Sequence, residues 1–209
     1  MALTLLLTSA ASANEASSPG CSVRRTAVDA EGVGTFVSEC RWAVPFEYVA
    51  RAFSDDALMA EANSNLGAGE DLGDGRRIST YSHFGVADRQ VTLEGAREEL
   101  PGGGFRSRYW MSPRQAPLAR GRVQVRVDEG MWEIAPAPGG GTSISFEMRH
   151  DAGGNLSPWL VRTFQAPGIA RSLGELRLAS EQLEARAATP AVASAPPTEH
   201  ATKSSGAAR

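Results

Sequence analysis

A change of period near the C-terminus constrains this chain more than any other feature. Thr142, Ile144, Phe146, Met148 and His150 share one parity, and Ser143, Ser145, Glu147 and Arg149 share the other. Period two with one apolar face is the pattern of a strand half withdrawn from water. Gly130 to Ile134 reads as its hairpin partner, joined across the Pro/Gly run 135–141. After Pro158 the spacing turns helical: Trp159, Leu160 and Phe164, then Leu173, Leu176 and Leu183, are expected to lie along one stripe. Two last strands therefore hand over to a last helix, which must bury its stripe against a sheet.

Upstream, alternating runs predict strands at Arg77 to Phe84, Arg89 to Glu94, Phe105 to Met111 and Arg122 to Asp128, with turn residues between them. Phe46, Val49, Ala50 and Phe53 follow Pro45 at helical spacing, so a short helix is expected there. Antiparallel strands followed by one long helix give an α+β chain with segregated elements. A length of 209 residues suits one domain with tails.

The ends read differently. Ala2 to Ala11 is a short apolar run, and Ala11-Ser12-Ala13 has the form of a cleavage site, so residues 1–13 are expected to be an export signal and the protein periplasmic or extracellular. The alternative is a buried N-terminal helix. Residues 14–20 are expected to be a flexible N-terminus, 21–187 the domain, and 188–209, small, polar and Pro-rich, a disordered tail. The chain has two cysteines. Cys21 to Val28 and Val33 to Cys40 flank the turn-like Asp29 to Gly32. A hairpin closing at Val28 and Val33 puts Cys21 directly opposite Cys40, within reach of a disulfide. Two free buried thiols are the alternative.

The C-terminal stretch resembles the second half of START domains, the steroidogenic-acute-regulatory-protein-related lipid transfer domains of the helix-grip superfamily. The residues that carry the likeness are Gly130 and Trp132, Thr142, the Asp151 to Gly154 loop, Pro158, the aromatic-aliphatic run Trp159 to Phe164, and Leu173 to Arg177 with its L-x-x-L-R form. Ala152 replaces the usual loop proline. The resemblance implies a helix-grip architecture: a curved antiparallel sheet wrapped around the last helix, with a cavity between them for a lipid, a sterol-like compound or another hydrophobic small molecule. It also matches Arg89 to an arginine at the head of a family strand. The aspartate that follows this arginine in the family is replaced by Gln90.

The cavity candidates are Arg89, Val91, Leu93, Arg108, Val125, Phe146, Met148, His150 and Phe164. The strand containing Arg108 has two mixed faces, and parity alone leaves open which of them points in. Trp132, Trp159 and Phe164 are expected to be packing anchors that hold the helix to the sheet, with direct ligand contact as the alternative. His83 lies in a strand of unassigned facing. The alternative function is a cyclase-like enzyme of the same superfamily using Arg89, His150 and Tyr109. The sequence has no metalloprotease motif, C-x-x-C pair or nucleophile elbow, so neither a metal nor a cofactor is expected. With 24 acidic against 21 basic side chains, nucleic-acid binding is not expected. A monomer is expected, with no membrane span once the signal is removed.

Overall fold

The computed structural model describes residues 15–55, 57–58, 69–82 and 85–188, without the side chains of residues 158–160 and 162. The expected signal, His83, the side chains of Trp159 and Leu160, and residues 189–209 of the expected tail lie outside the described residues. Among the described residues, ten strands form one curved, mainly antiparallel sheet. They are β1 (Glu15–Ser18), β2 (Cys21–Val28), β3 (Gly34–Trp42), β4 (Glu70–Asp71), β5 (Arg76–Tyr81), β6 (Arg89–Glu99), β7 (Phe105–Met111), β8 (Val123–Gln124), β9 (Val127–Pro136) and β10 (Thr142–Asp151). Among the described residues, the helices α1 (Phe46–Ser54) and α2 (Pro158–Ala188) pack with this sheet. The strand order is β1-β2-β3-β10-β9-β7-β6-β5-β4, with β8 pairing parallel to β6.

The first hairpin joins the last: β3 pairs with β10 from Thr142 opposite Trp42 to His150 opposite Gly34. That register fixes the inner face, because residues two apart share a face. Thr142 is fully buried, and its hydroxyl donates to the Val44 carbonyl at 2.7 Å, tying the start of β10 to the entry of α1. Gly141 is required here. It has φ +79, and a Cβ would lie 2.1 Å from the Trp42 carbonyl oxygen.

The cysteines lie opposite each other and form a disulfide, with Cα atoms 4.1 Å apart. The hairpin end differs from expectation. A bulge between Arg25 and Ala27 shifts the register, so Val28 faces Gly34 and not Val33. The cause is local: the Asp29 carboxylate accepts from the Val33 amide at 2.8 Å, and Gly32 takes φ +81, which lengthens the loop by one residue. A second expectation is corrected at the N-terminus. Glu15 to Ser18 is not loose chain but β1, paired in full with β2 and covered by α2.

α2 buries Ala166, Ile169, Ala170, Leu173, Leu176, Ala179, Ser180 and Leu183 against β1, β2 and α1. Spacings of three and four build that stripe. Ser180 is tolerated inside it because its hydroxyl donates back to the Leu176 carbonyl at 2.7 Å. Phe164 is off the stripe and 59% exposed. It precedes Leu173 by nine residues, about two and a half turns, so the two side chains point in opposite directions.

The predicted strand Arg122 to Asp128 is not continuous. β8 ends at Gln124, the chain turns at Val125 and Arg126, and β9 runs unbroken from Val127 to Pro136. The 112–125 segment instead folds back over the outer face of β6. Gln115 bonds both the amide and the carbonyl of Thr92, and Gln90 bonds the backbone at Pro117 and Ala119. As a result the first half of β6 is buried on both faces.

Candidate functional site

The register sorts the inner face into two regions. One is apolar: Val23, Phe36, Cys40, Trp42, Phe105, Ile134, Ile144 and Phe146 belong to one buried cluster with both helices. Trp132 stacks on Phe146 with ring centroids 4.0 Å apart, and Phe53 packs on both Trp132 and Phe105.

The other region is polar and is assembled from three distant stretches of chain. Asp128 is 1% exposed and sits opposite His150 in the β9–β10 register. The Tyr81 hydroxyl donates to Asp128 Oδ2 at 2.7 Å, and His150 Nδ1 lies 3.3 Å from Asp128 Oδ1. The tyrosine ring meets the imidazole edge-on at 5.7 Å. A carboxylate so placed can accept from an Nδ1–H, whichever form the ring takes. Burial pushes the Tyr81 phenol well above its ordinary pKa, and the Asp128 charge adds to the effect. Burial does the same to Tyr109, aided by the charges of Asp128 and Glu129. Both phenols therefore keep their protons near neutral pH. Gln165 donates to the His150 carbonyl at 3.0 Å and so ties α2 to this end of β10.

Arg89 pairs with Tyr81 in register and is 4% exposed. Its Nη1 donates to the Ala87 carbonyl, while its Nε has no partner. Among the described residues no carboxylate forms an ion pair with it. Its Nη2 lies 3.9 Å from where a side chain at Gly154 would begin. The adjoining loop is built on close backbone approach. At Gly153, φ is +69 and a Cβ would sit 2.2 Å from the Gln124 carbonyl oxygen. The Asp151 side chain closes the loop by accepting from the Gly153 amide at 2.8 Å.

The structure gathers Arg89, Val91, Leu93, Phe146, Met148 and His150 on the inner parity of β6 and β10, and Val125 is wholly buried at the corner after β8. Two candidates are corrected. Arg108 shares a parity with Arg106 and Trp110 on the outer face, where its side chain is 56% exposed and lies 3.9 Å from Glu98. Phe164 faces solvent for the helical reason given above. Sequence reasoning missed Tyr81 and Asp128. The available signal was that Asp128 precedes the Gly130-x-Trp132 pair by two residues and so shares their face. Two depressions lie away from the polar region. One of about 450 Å³ has outer-face residues Ser22, Glu39, Arg41 and Glu133 in its wall, and one of about 460 Å³ lies at the C-terminal end of α1.

No protein-family profile matches the sequence. An uncharacterized protein of Pseudomonas aeruginosa is 25% identical over 97 residues, covering 46% of this chain and 48% of that protein, so the match spans about half of the curated relative. Solved structures are more informative. The STAR-related lipid transfer protein of Xanthomonas axonopodis superposes with a TM-score of 0.68 at 20% identity, covering 81% of this chain and 99% of that one. Human StAR-related lipid transfer protein 5 superposes with a TM-score of 0.71 at 17% identity, covering 82% and 88%. At these identities the likeness establishes the fold: this chain has the helix-grip fold of START domains.

Proposed function

We propose that this protein binds a hydrophobic small molecule, of the lipid or sterol-like class, between the concave face of its sheet and α2, and shields it from water. The observation that carries the reading is the mixed inner face: an apolar wall continuous with a buried polar region whose Arg89 Nε finds no protein partner. A ligand of mixed character fits such a face. Its apolar body leaves water at about 25 cal/mol per Å², and a few polar groups fix its orientation. The START-type lipid transfer proteins that share the fold support the same reading. The reading is one of binding, in keeping with those proteins, and not of turnover.

We also infer export to an oxidising compartment. The Cys21–Cys40 disulfide supports it, since such bonds persist mainly outside the reducing cytosol. Native mass spectrometry of the purified protein, followed by organic extraction, tests the binding reading. A mass excess that extracts as an apolar compound is expected. A protein that carries none, and that fails to take up fluorescent lipids and sterols, would overturn it.

A further inference from the structure

One row of the inner face is nearly bare. Tyr109 on β7 is flanked in register by Gly95 on β6 and Gly130 on β9, with Met148 on β10 beyond. The phenol lies down across Gly130: a Cβ there would sit 2.6 Å from the Tyr109 hydroxyl and 2.5 Å from the Glu147 carbonyl oxygen. On the other side, a Cβ at Gly95 would meet only the Arg108 carbonyl oxygen, at 3.0 Å, and Gly95 is exposed. The sheet floor beside Tyr109 is thus open, whereas the floor of the adjoining apolar region is packed.

The Tyr109 hydroxyl accepts and donates no hydrogen bond among the described residues, although most of the side chain is withdrawn from water. Two of the polar side chains nearby already have protein partners, while the Arg89 Nε does not. Asp128 spends both oxygens on Tyr81 and His150. Arg97, two residues beyond Gly95, lies over the Phe105 ring at 3.5 Å and donates to Ser54 at 2.8 Å.

We propose that Tyr109 is the polar anchor of the bound ligand, and that the group it holds is an uncharged oxygen acceptor, such as an ester, ketone or alcohol, and not a carboxylate. The hydroxyl supplies one donor, held over Gly130, a position that carries no side chain of its own. Burial first, and then the charges of Asp128 and Glu129, hold the proton on this phenol, and Asp128 lies on the same inner face of β9, two residues from the Gly130 that pairs with Tyr109. The field of the Asp128 carboxylate disfavours a second anion there. The inference rests on the binding reading above and narrows it to a class of headgroup.

The test uses the intact protein and three probes of one chain length: methyl dodecanoate, dodecanoate and dodecane, each displacing a neutral fluorescent probe at about pH 8. The expected result is that the ester binds about 10-fold or more tighter than the carboxylate. Tyr109→Phe is expected to weaken the ester about 3- to 10-fold, the scale of one neutral hydrogen bond, and to leave dodecane unchanged. A carboxylate that binds tighter than the ester would overturn the proposal and move the anchor to Arg89. An ester affinity unaffected by Tyr109→Phe would overturn it as well. If the variant fails to fold, the ester-to-carboxylate ratio of the unaltered protein still decides. If none of the three probes binds, this inference falls; the hydrophobic-ligand reading falls with it only if the purified protein also carries no extractable apolar compound and takes up neither fluorescent lipids nor sterols.

Discussion

Along one concave face, the side under the helices and the side toward β5 and β6 solve burial differently. Under α1 and α2, Val23, Phe36, Trp42, Phe105, Ile134 and Leu173 fill one another's surroundings, and the disulfide joins the two strands of the first hairpin at its open end. Toward β5 and β6, the same sheet buries Arg89 and Asp128, half-buries Tyr81 and His150, and satisfies only some of their polar atoms. The first region gains stability from contacts with itself. The second carries a desolvation cost that the first region offsets. The packed cluster and the polar cluster thus occupy different parts of one face, sharing β9 and β10, so substitutions should separate the two.

The largest expected effect falls in the packed region. Phe105 is fully buried between Phe46 and Phe53, so Phe105→Ala is expected to cost about 3–5 kcal/mol in denaturant unfolding. A cost below about 1 kcal/mol would erase the contrast between the two sides. Next comes the disulfide. Replacing Cys21 and Cys40 together by alanine is expected to lower stability by about 2–4 kcal/mol with little change in ligand affinity. Peptide mapping of the unreduced protein should first recover the linked pair.

On the polar side, Asp128→Asn leaves the shape but weakens what Tyr81 and His150 rely on. Its expected cost is smaller, about 1–3 kcal/mol by urea melt, and it should reach ligand binding, which Phe105→Ala would affect only through folding. The phenols sharpen the comparison by titration. Tyr81 and Tyr109 have folded pKa values raised well above the ordinary 10.0. The unfolded chain therefore loses these protons first as pH rises, binds fewer protons than the native state, and becomes relatively more favourable. Stability is expected to be flat in this respect below about pH 10 and to fall above it. Tyr81→Phe should flatten that fall, and an unchanged alkaline slope would refute the assignment. The smallest effects belong outside both regions: Arg108→Ala and Phe164→Ala are each expected to change stability by no more than about 0.5 kcal/mol, because both side chains are exposed.

Much of this was legible in the chain. β7 runs from Phe105 to Met111 and α1 spans most of the expected stretch, because alternation and helical spacing are local properties. The opposed cysteines were legible from a single turn between two equal runs. Less could be read where one segment covers another. Gln90 and Thr92 look like the wet face of an amphipathic strand, yet both are buried, because Gln115 and its neighbours fold over them from more than twenty residues away. Arg108 was ambiguous for a different reason. Both parities of Phe105 to Met111 mix aromatic and polar side chains, and only pairing with Met131 and Ala96 puts Arg108 outside.

By itself, then, the sequence determined most of the elements, though not β1 or the break between β8 and β9, together with the disulfide pair and the helix-over-sheet class, since each depends on spacing within a short run and on covalent reach. The tertiary structure alone decided which face of each middle strand points in, and that Tyr81, Asp128 and His150 meet. Those three residues come from β5, β9 and β10. Parity gives each strand two faces but no means of choosing between them. The choice is made by cross-strand register and by the burial of neighbours remote in sequence.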